Sequence, residues 1–559
     1  MTWMDAAGFV QDDWRLTSKV IVNLGLRYSY TSPFHEVNNL LGGFDPTLGM
    51  VQVGQASLGS TPWKPDYRDF SPRLGFAWDV SGKGTTVVRA GASIIYSSFA
   101  AASFLQQAGL TNFTGGSIGA IPTGACVGAS LATCQSAGGT IGLGTVNFKG
   151  SQLNWTGPVF PGGGTVACTA SAQCNISAAD PNLKTPYVTN WNLSVTRAFK
   201  NNLSLEVGYV GNHAIRLTGF VDLNQIPPST YLTSPTGNGV QPYATRFPYL
   251  NYINWYTNHG FSNYNSLQAT LTERVTHGLN FTAGYTYGHG LDNGSENRFG
   301  PLPQDSTNPR AEYASGDFDV RNRFTFTAGY ELPGKKGFGQ LLEGWKINSI
   351  VSVQSAQPWN IADQSNNFTT NGDKNVRWDF FGNPADFKSG GDSIPYCTGP
   401  GPGGCSVTSG IYLNTVGLSA SQSAAMWAKC TAAAPTLAAG GCYVDGNSVM
   451  VPPAPGTFGT MGRNIFRDNG FRNWDLSLFK SFTFKERFGA QFRFEVFDVL
   501  NRATISNPNG ANNGSHNGDD PSGTGTFGCG CSTPDFATGN PIIGSGSNRA
   551  MQLGLKLTF

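Results

Sequence analysis

The chain has 559 residues, of which 13% are charged and 12% aromatic, with 73 glycines and 32 prolines. This charge content is about half that of an ordinary soluble protein, and no run of about 18 apolar residues exists to form a membrane-spanning helix. The formal net charge of +2 provides no basic surface, so we expect no nucleic-acid partner.

Alternation of apolar and polar residues recurs along the chain in pairs of segments joined by short turns, which is typical of antiparallel strands. It predicts six hairpins: 9–14 with 20–30, 73–79 with 86–96, 191–198 with 203–210, a pair turning at 276–278, 323–332 with 345–354, and 474–484 with 488–499. Long polar stretches separate them, at 31–70, 97–186, 211–263, 288–317, 356–471 and 501–550. Segments 217–223 and 251–257 are either further strands or extensions of neighbouring ones.

The last nine residues, 551–559, form the most regular strand. One face carries Met551, Leu553, Leu555, Leu557 and Phe559, and the other carries Gln552, Gly554, Lys556 and Thr558. A soluble protein would lay the first face on its core. A final strand that ends on an aromatic residue also suits a barrel strand that ends at a membrane interface.

Charged residues share one face of these strands, while the other face is continuously apolar. The charged set is Arg27, Arg89, Glu206, Arg323, Lys346, Arg493, Glu495 and Lys556. An open sheet exposing such an apolar face would aggregate, whereas closure within a bilayer removes the edges and satisfies the backbone. We therefore predict an all-β fold, a transmembrane antiparallel β-barrel, to which this chain contributes about 13 to 14 strands.

Loop length predicts the orientation. Short turns of outer-membrane barrels are periplasmic and long loops extracellular, so the C-terminus is expected in the periplasm. Six hairpins and one final strand make an odd number, whereas bacterial single-chain barrels have even numbers. Unless strands have been missed, the chain is expected to be part of a larger barrel.

The ten cysteines lie in near-neighbour pairs within the long stretches: Cys126 with Cys134, Cys168 with Cys174, Cys397 with Cys405, Cys430 with Cys442, and Cys529 with Cys531. Their even number predicts extracellular disulfides formed in an oxidising compartment, although sequence does not fix the connectivity. Cys529 and Cys531 have no second ligand pair nearby, so we expect no metal site there.

The remaining chemistry-bearing residues are sparse. The six histidines are scattered without metal-ligand or general-base spacing, so we expect no enzyme activity and no cofactor. The acidic residues Asp292, Glu296, Asp305, Asp317 and Asp319 are either a solvated acidic loop or a set of calcium ligands.

Several ordered motifs resemble the barrel of Oar-like TonB-dependent receptors. They are Phe9-Val-Gln-Asp-Asp-Trp14, Val22-Asn-Leu-Gly-Leu-Arg-Tyr28, Phe70-Ser-Pro-Arg-Leu-Gly-Phe-Ala-Trp78, Asn190-Trp-Asn-Leu-Ser-Val195, Glu206-Val-Gly-Tyr-Val-Gly211, Asn263-Tyr-Asn-Ser-Leu-Gln268, Asp317-Phe-Asp-Val-Arg321 and the terminal strand. The resemblance, of acidobacterial type, implies a barrel of about 22 strands preceded by a plug and a TonB box. These parts and a signal peptide are not found in the sequence, so residues 1–559 are expected to be the C-terminal part of such a barrel domain.

The resemblance implies a receptor in the outer membrane of a Gram-negative bacterium that takes up a nutrient, such as a carbohydrate or a peptide. Its implied partners are outer-membrane lipid, an extracellular ligand, the TonB complex acting through a plug region, and the barrel assembly machinery, which would read a C-terminal signal at Phe559. Two alternatives stay open, a passive outer-membrane pore and a surface structural or adhesion protein.

Overall fold

The computed structural model describes residues 2–35, 42–47, 49–52, 59–97, 174–199, 202–231, 239–248, 250–295, 302–359, 362–363, 376–387, 394, 396–397, 405–406, 419–454, 456–467, 469–484, 488–504 and 548–559. The first strands are β1 (Asp5–Thr17), β2 (Val20–Thr31), β3 (Gly42–Asp45), β4 (Gly49–Gln52), β5 (Phe70–Asp79), β6 (Thr86–Tyr96), β7 (Cys174–Ala179), β8 (Tyr187–Ala198), β9 (Leu203–Asp222), β10 (Leu250–Thr276), β11 (Leu279–Asp292), β12 (Ala314–Ser315) and β13 (Asn322–Glu331).

The later strands are β14 (Trp345–Gln354), β15 (Pro358–Trp359), β16 (Ala362–Asp363), β17 (Val376–Arg377), β18 (Asp379–Phe381), β19 (Tyr396–Cys397), β20 (Cys405–Ser406), β21 (Cys442–Asp445), β22 (Ser448–Val451), β23 (Phe466–Arg467), β24 (Phe471–Phe484), β25 (Phe488–Phe497) and β26 (Ala550–Thr558). The helices are α1 (Pro228–Tyr231) and α2 (Ala420–Ala433), with 3-10 turns at Pro309–Glu312, Phe338–Gln340 and Leu437–Gly440. No helix in these ranges is both long and apolar enough to cross a membrane.

Thirteen strands form one continuous antiparallel sheet. Their order is β1-β2-β5-β6-β8-β9-β10-β11-β13-β14-β24-β25-β26, so each strand pairs with its neighbour along the path. This confirms the all-β class and the six hairpins with a final strand. The sheet is not closed, and β1 and β26 lie at its two ends. Because the number of strands on the path is odd, these two edge strands run in the same direction.

The register of the sheet separates two faces. Pairing aligns one apolar row across nine strands: Val20, Trp78, Val88, Val195, Val207, Ala269, Tyr285, Phe324 and Val353. A second apolar row crosses the last six strands: Leu279, Tyr330, Ile347, Leu478, Phe494 and Leu553. We call the side that carries both rows the apolar face.

The residues next in sequence form the opposite rows. Beside the second apolar row lie Asn280, Gly329, Asn348, Ser477, Glu495 and Gln552. Beside the first lie Arg89, Ser194, Gly208, Gln268, Thr286, Arg323 and Gln354. This side is the polar face. Since strand side chains alternate, the predicted periodicity has become two chemically distinct surfaces.

Two strands extend far past the others. β9 has 20 residues and β10 has 27, whereas about 9 to 11 residues of tilted strand cross a bilayer. Segment 251–257 lies within β10, and segment 217–223 lies within β9 except for its last residue, so both are extensions and not additional strands. The extensions lie at the end of the sheet where the long stretches between the hairpins join the strands. We call this the long-loop end. The opposite end is the short-turn end.

The β9 and β10 extensions carry a small core of their own. It contains Phe44, Ile176, Phe247, Leu250 and Ile253, all nearly inaccessible to solvent. β7 supplies Ile176 and pairs with β10 in a parallel orientation, the one parallel pairing among the described strands of the large sheet. Cys174 begins this strand, so its predicted position in a loop is wrong.

The described residues within 356–471 form strands and a helix with a buried core, and not the polar loop that the sequence predicted. Strands in the order β18-β22-β21-β19-β20 form a five-stranded sheet, and α2 contacts four of these strands. We call the described residues from 376 to 467, which include this sheet and α2, the inserted unit. Its cores bury Trp378, Phe387, Tyr443 and Phe466 almost completely. Its strands have two to four residues, which is too short for a detectable period.

Candidate functional site

The polar face contains a trough near the first edge of the sheet, with a cavity volume of about 400 Å³. Polar residues from β1, β2, β5, β6 and β8 line it: Gln11, Asn23, Arg73, Ser93, Asn190 and Asn192. Amide side chains each offer donors and an acceptor. The trough therefore suits a ligand rich in hydroxyl or amide groups.

Glycines form the floor of this trough. A Cβ on Gly75 would lie 2.9 Å from Asn23 Oδ1, and one on Gly91 would lie 2.6 Å from Asn192 Oδ1. The two asparagines therefore lie flat over the glycines that pair with them. The same arrangement recurs at Gly329, whose Cβ would lie 2.7 Å from Asn280 Oδ1. Glycine weakens a strand, but here the missing side chain leaves room for the asparagine side chain to lie close to the backbone on the polar face.

Three segments meet at the long-loop end. Buried Gln304 joins them, because its Nε2 donates to Gly459 O at 3.0 Å and its Oε1 accepts from Arg377 N at 2.7 Å. Gln225, three residues after the β9 extension ends, donates from Nε2 to Gln304 O at 2.9 Å. The β9 extension, residues 302–312 and the inserted unit are therefore fixed to one another.

The acidic residues at this end are paired with arginines. Arg463 forms an ion pair with Asp292, and its Nη1 lies 3.5 Å from Asp317 Oδ1. Arg467 Nη2 lies 2.7 Å from Asp319 Oδ2. Asp292, Asp317 and Asp319 are thus neither a solvated loop nor free calcium ligands, and both interpretations are wrong for them. Glu296 lies outside the described residues, while Asp305 bonds Thr307.

Asp319 lies at the centre of this network. It accepts hydrogen bonds from Arg467, Arg321 and the Gly290 backbone, and lies 3.2 Å from His289 Nδ1. Burial acts to raise the pKa of Asp319, but the hydrogen bonds from Arg467, Gly290 and His289 outweigh it and hold that pKa below its usual value. The carboxylate is therefore ionised at neutral pH and holds β11 against β23 of the inserted unit.

Sequence reasoning missed these arginines. Arg377 bonds Glu312 in a pair whose side chains are only 7% and 6% exposed, and Arg463 and Arg467 sit in a Gly-rich stretch without periodicity. The single sequence signal is the presence of acidic residues at 292–319 and of arginines that follow their partners by 65, 148 and 171 residues. Such spacing does not specify which charges meet.

The cysteines of the inserted unit lie together. Cys430 and Cys442 form a disulfide with Cα atoms 6.3 Å apart, which is one of the five predicted pairs. Cys397 is also disulfide-bonded, and its backbone pairs with that of Cys405. The sulfur atoms of Cys397, Cys430 and Cys442 lie within 4.8 Å of one another, but disulfides leave no thiolate for a metal. Cys126, Cys134, Cys168, Cys529 and Cys531 lie outside the described residues.

Replacing Cys430 and Cys442 together by serine is expected to destabilise the inserted unit by about 2–4 kcal/mol, because the unfolded segment gains freedom. Hydrogen exchange should quicken in β21 and β22 and stay unchanged in β14 of the large sheet. Unaltered exchange in β21 and β22 would show that the disulfide does not support this unit.

Asp222 ends the β9 extension and is almost fully buried. Its Oδ1 accepts from Asn224 N at 2.8 Å and Ile253 N at 2.9 Å. Burial raises the pKa of Asp222 to about 6, although these two hydrogen bonds act to lower it. The folded protein therefore binds a proton here more tightly than the unfolded chain.

This raised pKa predicts a pH dependence at the long-loop end. The stabilising proton is retained below about pH 4 and lost as pH rises through about 6, so raising pH should weaken the β10 extension by up to about 3 kcal/mol. Hydrogen exchange of residues 250–257 at pH 4.5 and 7.5, corrected for the intrinsic rate, measures the effect. Asp222→Asn should abolish the difference, and equal protection of the unmodified chain at both pH values would contradict the prediction.

The described strands thus form an antiparallel sheet with one apolar face, one polar face and structured connections at one end. This is the class of membrane β-barrel proteins, and residues 1–533 match the family described as outer membrane beta barrel domain. The chain belongs to that family. A comparison with curated proteins finds no match.

Solved structures that match this chain include three larger bacterial proteins. The outer membrane transporter YddB from Escherichia coli is 11% identical with a TM-score of 0.41, and the match covers 100% of this chain and 45% of YddB. FpvA from Pseudomonas aeruginosa, bound to a heterologous pyoverdine, is 8% identical with a TM-score of 0.38, over 99% of this chain and 38% of FpvA.

A variant of the ferric enterobactin receptor PfeA from Pseudomonas aeruginosa is 10% identical with a TM-score of 0.38, over 99% of this chain and 44% of PfeA. The chain therefore spans less than half of the length of these three proteins.

Proposed function

We propose that this chain forms part of the wall and the extracellular ligand-binding end of a TonB-dependent uptake receptor of the Oar-like type. The observation that carries the proposal is the two-faced sheet, because an apolar face continuous across nine strands suits lipid and the opposite polar rows suit a water-filled lumen. The motif resemblance described above supports the receptor type. The short-turn end then faces the periplasm.

The ligand is a carbohydrate or a peptide on this proposal. The trough on the polar face presents four amide side chains, Gln11, Asn23, Asn190 and Asn192, and the guanidinium of Arg73. Hydroxyl and peptide groups match this set of donors and acceptors. The fixed arrangement of segments at the long-loop end provides a preorganised surface for first capture.

The test compares a strain lacking this gene with its parent during growth on defined mixtures of oligosaccharides and peptides. Depletion of at least one compound should require the gene and should stop when a protonophore collapses the inner-membrane energy supply. Uptake that survives the protonophore, together with ion conductance of the purified chain, would indicate a passive pore. Surface binding without any depletion would indicate an adhesion protein.

A further inference from the structure

The turn between β13 and β14, residues 332–344, differs from the other short turns. It is longer, and it exposes three large apolar side chains, Phe338 (82% exposed), Leu341 (58%) and Leu342 (52%). Two exposed lysines, Lys335 and Lys336, precede them. We call residues 332–344 the Phe338 turn.

The register shows on which side of the sheet this turn lies. Trp345 pairs with Lys480, Lys480 with Phe492, and Phe492 with Leu555. Leu555 is two residues from Leu553, so this row, including Lys480, belongs to the apolar face. Any segment that covers the side chain of Lys480 must therefore lie over the apolar face.

The Phe338 turn covers that side chain. The Lys480 ammonium donates to the carbonyl oxygens of Gln340 and Glu343, and the lysine is only 5% exposed. Trp345, also on the apolar face, donates from Nε1 to Leu341 O at 2.8 Å. Both contacts draw the turn over the apolar face.

The backbone of the turn is fixed in an unusual conformation. Gly337, Phe338, Gly339 and Gln340 follow one another with φ of 130°, 48°, 62° and 67°. The Gln340 side chain donates to Thr483 O at 2.6 Å and accepts from Thr483 N at 2.8 Å. Left-handed non-glycine residues persist where the surroundings impose them, and they cluster at functional positions. Here the imposed backbone leaves Phe338 exposed.

We propose that the Phe338 turn is a membrane-interface anchor. Phe338, Leu341 and Leu342 insert among lipid chains at the short-turn end, and Lys335 and Lys336 bind the headgroups of anionic phospholipids. Apolar side chains beside lysines fit a surface that is apolar within and negatively charged at its boundary. The inference rests on the apolar face meeting lipid, as proposed above.

A photoreactive residue tests the insertion. p-Benzoylphenylalanine is placed at position 338 of the full chain, folded into vesicles of phosphatidylethanolamine and phosphatidylglycerol, and irradiated. Position 318 is the matched control, because Phe318 is also exposed, at 74%, but lies at the long-loop end. Position 555, on the apolar face, tests whether that face of the sheet contacts lipid.

Lipid adducts at 338 should match those at 555 and exceed those at 318 several-fold. Adducts at 555 with only the control level at 338 would overturn the anchor but would still support contact between the apolar face and lipid. Adducts at neither position would overturn the contact between the apolar face and lipid, and with it the anchor.

The headgroup contact has its own test. The double variant Lys335→Gln/Lys336→Gln should reduce the preference for phosphatidylglycerol vesicles over phosphatidylcholine vesicles by roughly an order of magnitude. Lys64→Gln, at the long-loop end, should leave the preference unchanged, and inorganic phosphate should not compete. An unchanged preference in the double variant, or competition by phosphate, would overturn the assignment of the lysines to lipid.

Discussion

Leu553→Arg is expected to lower the free energy of unfolding of the membrane-embedded sheet by about 2–4 kcal/mol, the cost of a cation on the lipid side near the bilayer centre. Leu553 is 82% exposed and aligns with Phe494 and Leu478 on the apolar face. Urea titration of the protein folded in lipid vesicles measures the change.

The neighbouring residue provides the matched control. Gln552 lies on the polar face and pairs with Glu495, so Gln552→Arg places the same cation beside a carboxylate and should cost less than about 1 kcal/mol. Equal losses for Leu553→Arg and Gln552→Arg would show that the two faces do not meet different solvents.

Glu312→Gln should destabilise the assembly at the long-loop end by about 3–5 kcal/mol, because it leaves the buried Arg377 without its counter-charge. Both side chains of this pair are almost inaccessible to solvent. Hydrogen exchange of residues 376–381, which include Arg377, should quicken accordingly.

Two further variants separate charge from packing. Glu312→Met with Arg377→Met removes both charges and should recover most of the loss, apart from the cost of leaving Gln304 N without its acceptor Glu312 Oε1. Lys346→Gln breaks an ion pair whose partners are 41% and 68% exposed and should cost less than about 1 kcal/mol. If the double variant were as unstable as Glu312→Gln, side-chain packing, and not the pairing of charges, would be what stabilises the contact between the segments at the long-loop end.

The sequence by itself determined the large sheet. Alternation in long strands such as 203–210 and 345–354 predicted both the hairpins and the side on which Glu206 and Lys346 lie. This worked because a period of two acts locally, and each residue's face follows from its neighbours alone. The disulfide between Cys430 and Cys442 joins cysteines that are neighbours along the chain, twelve residues apart, although their spacing alone did not fix the pairing.

Only the tertiary structure decided the long-loop end and the Phe338 turn. Arg463 meets Asp292 across 171 residues, and charge attraction carries no sequence period that would reveal the partner. The inserted unit is built from strands of two to four residues, which are too short for alternation to rise above chance. Lys480 interrupts an apolar row, and its role became visible only when the turn that satisfies its ammonium was placed in space. Long-range pairing of polar groups, unlike alternation, is fixed by packing and burial rather than by neighbours in sequence.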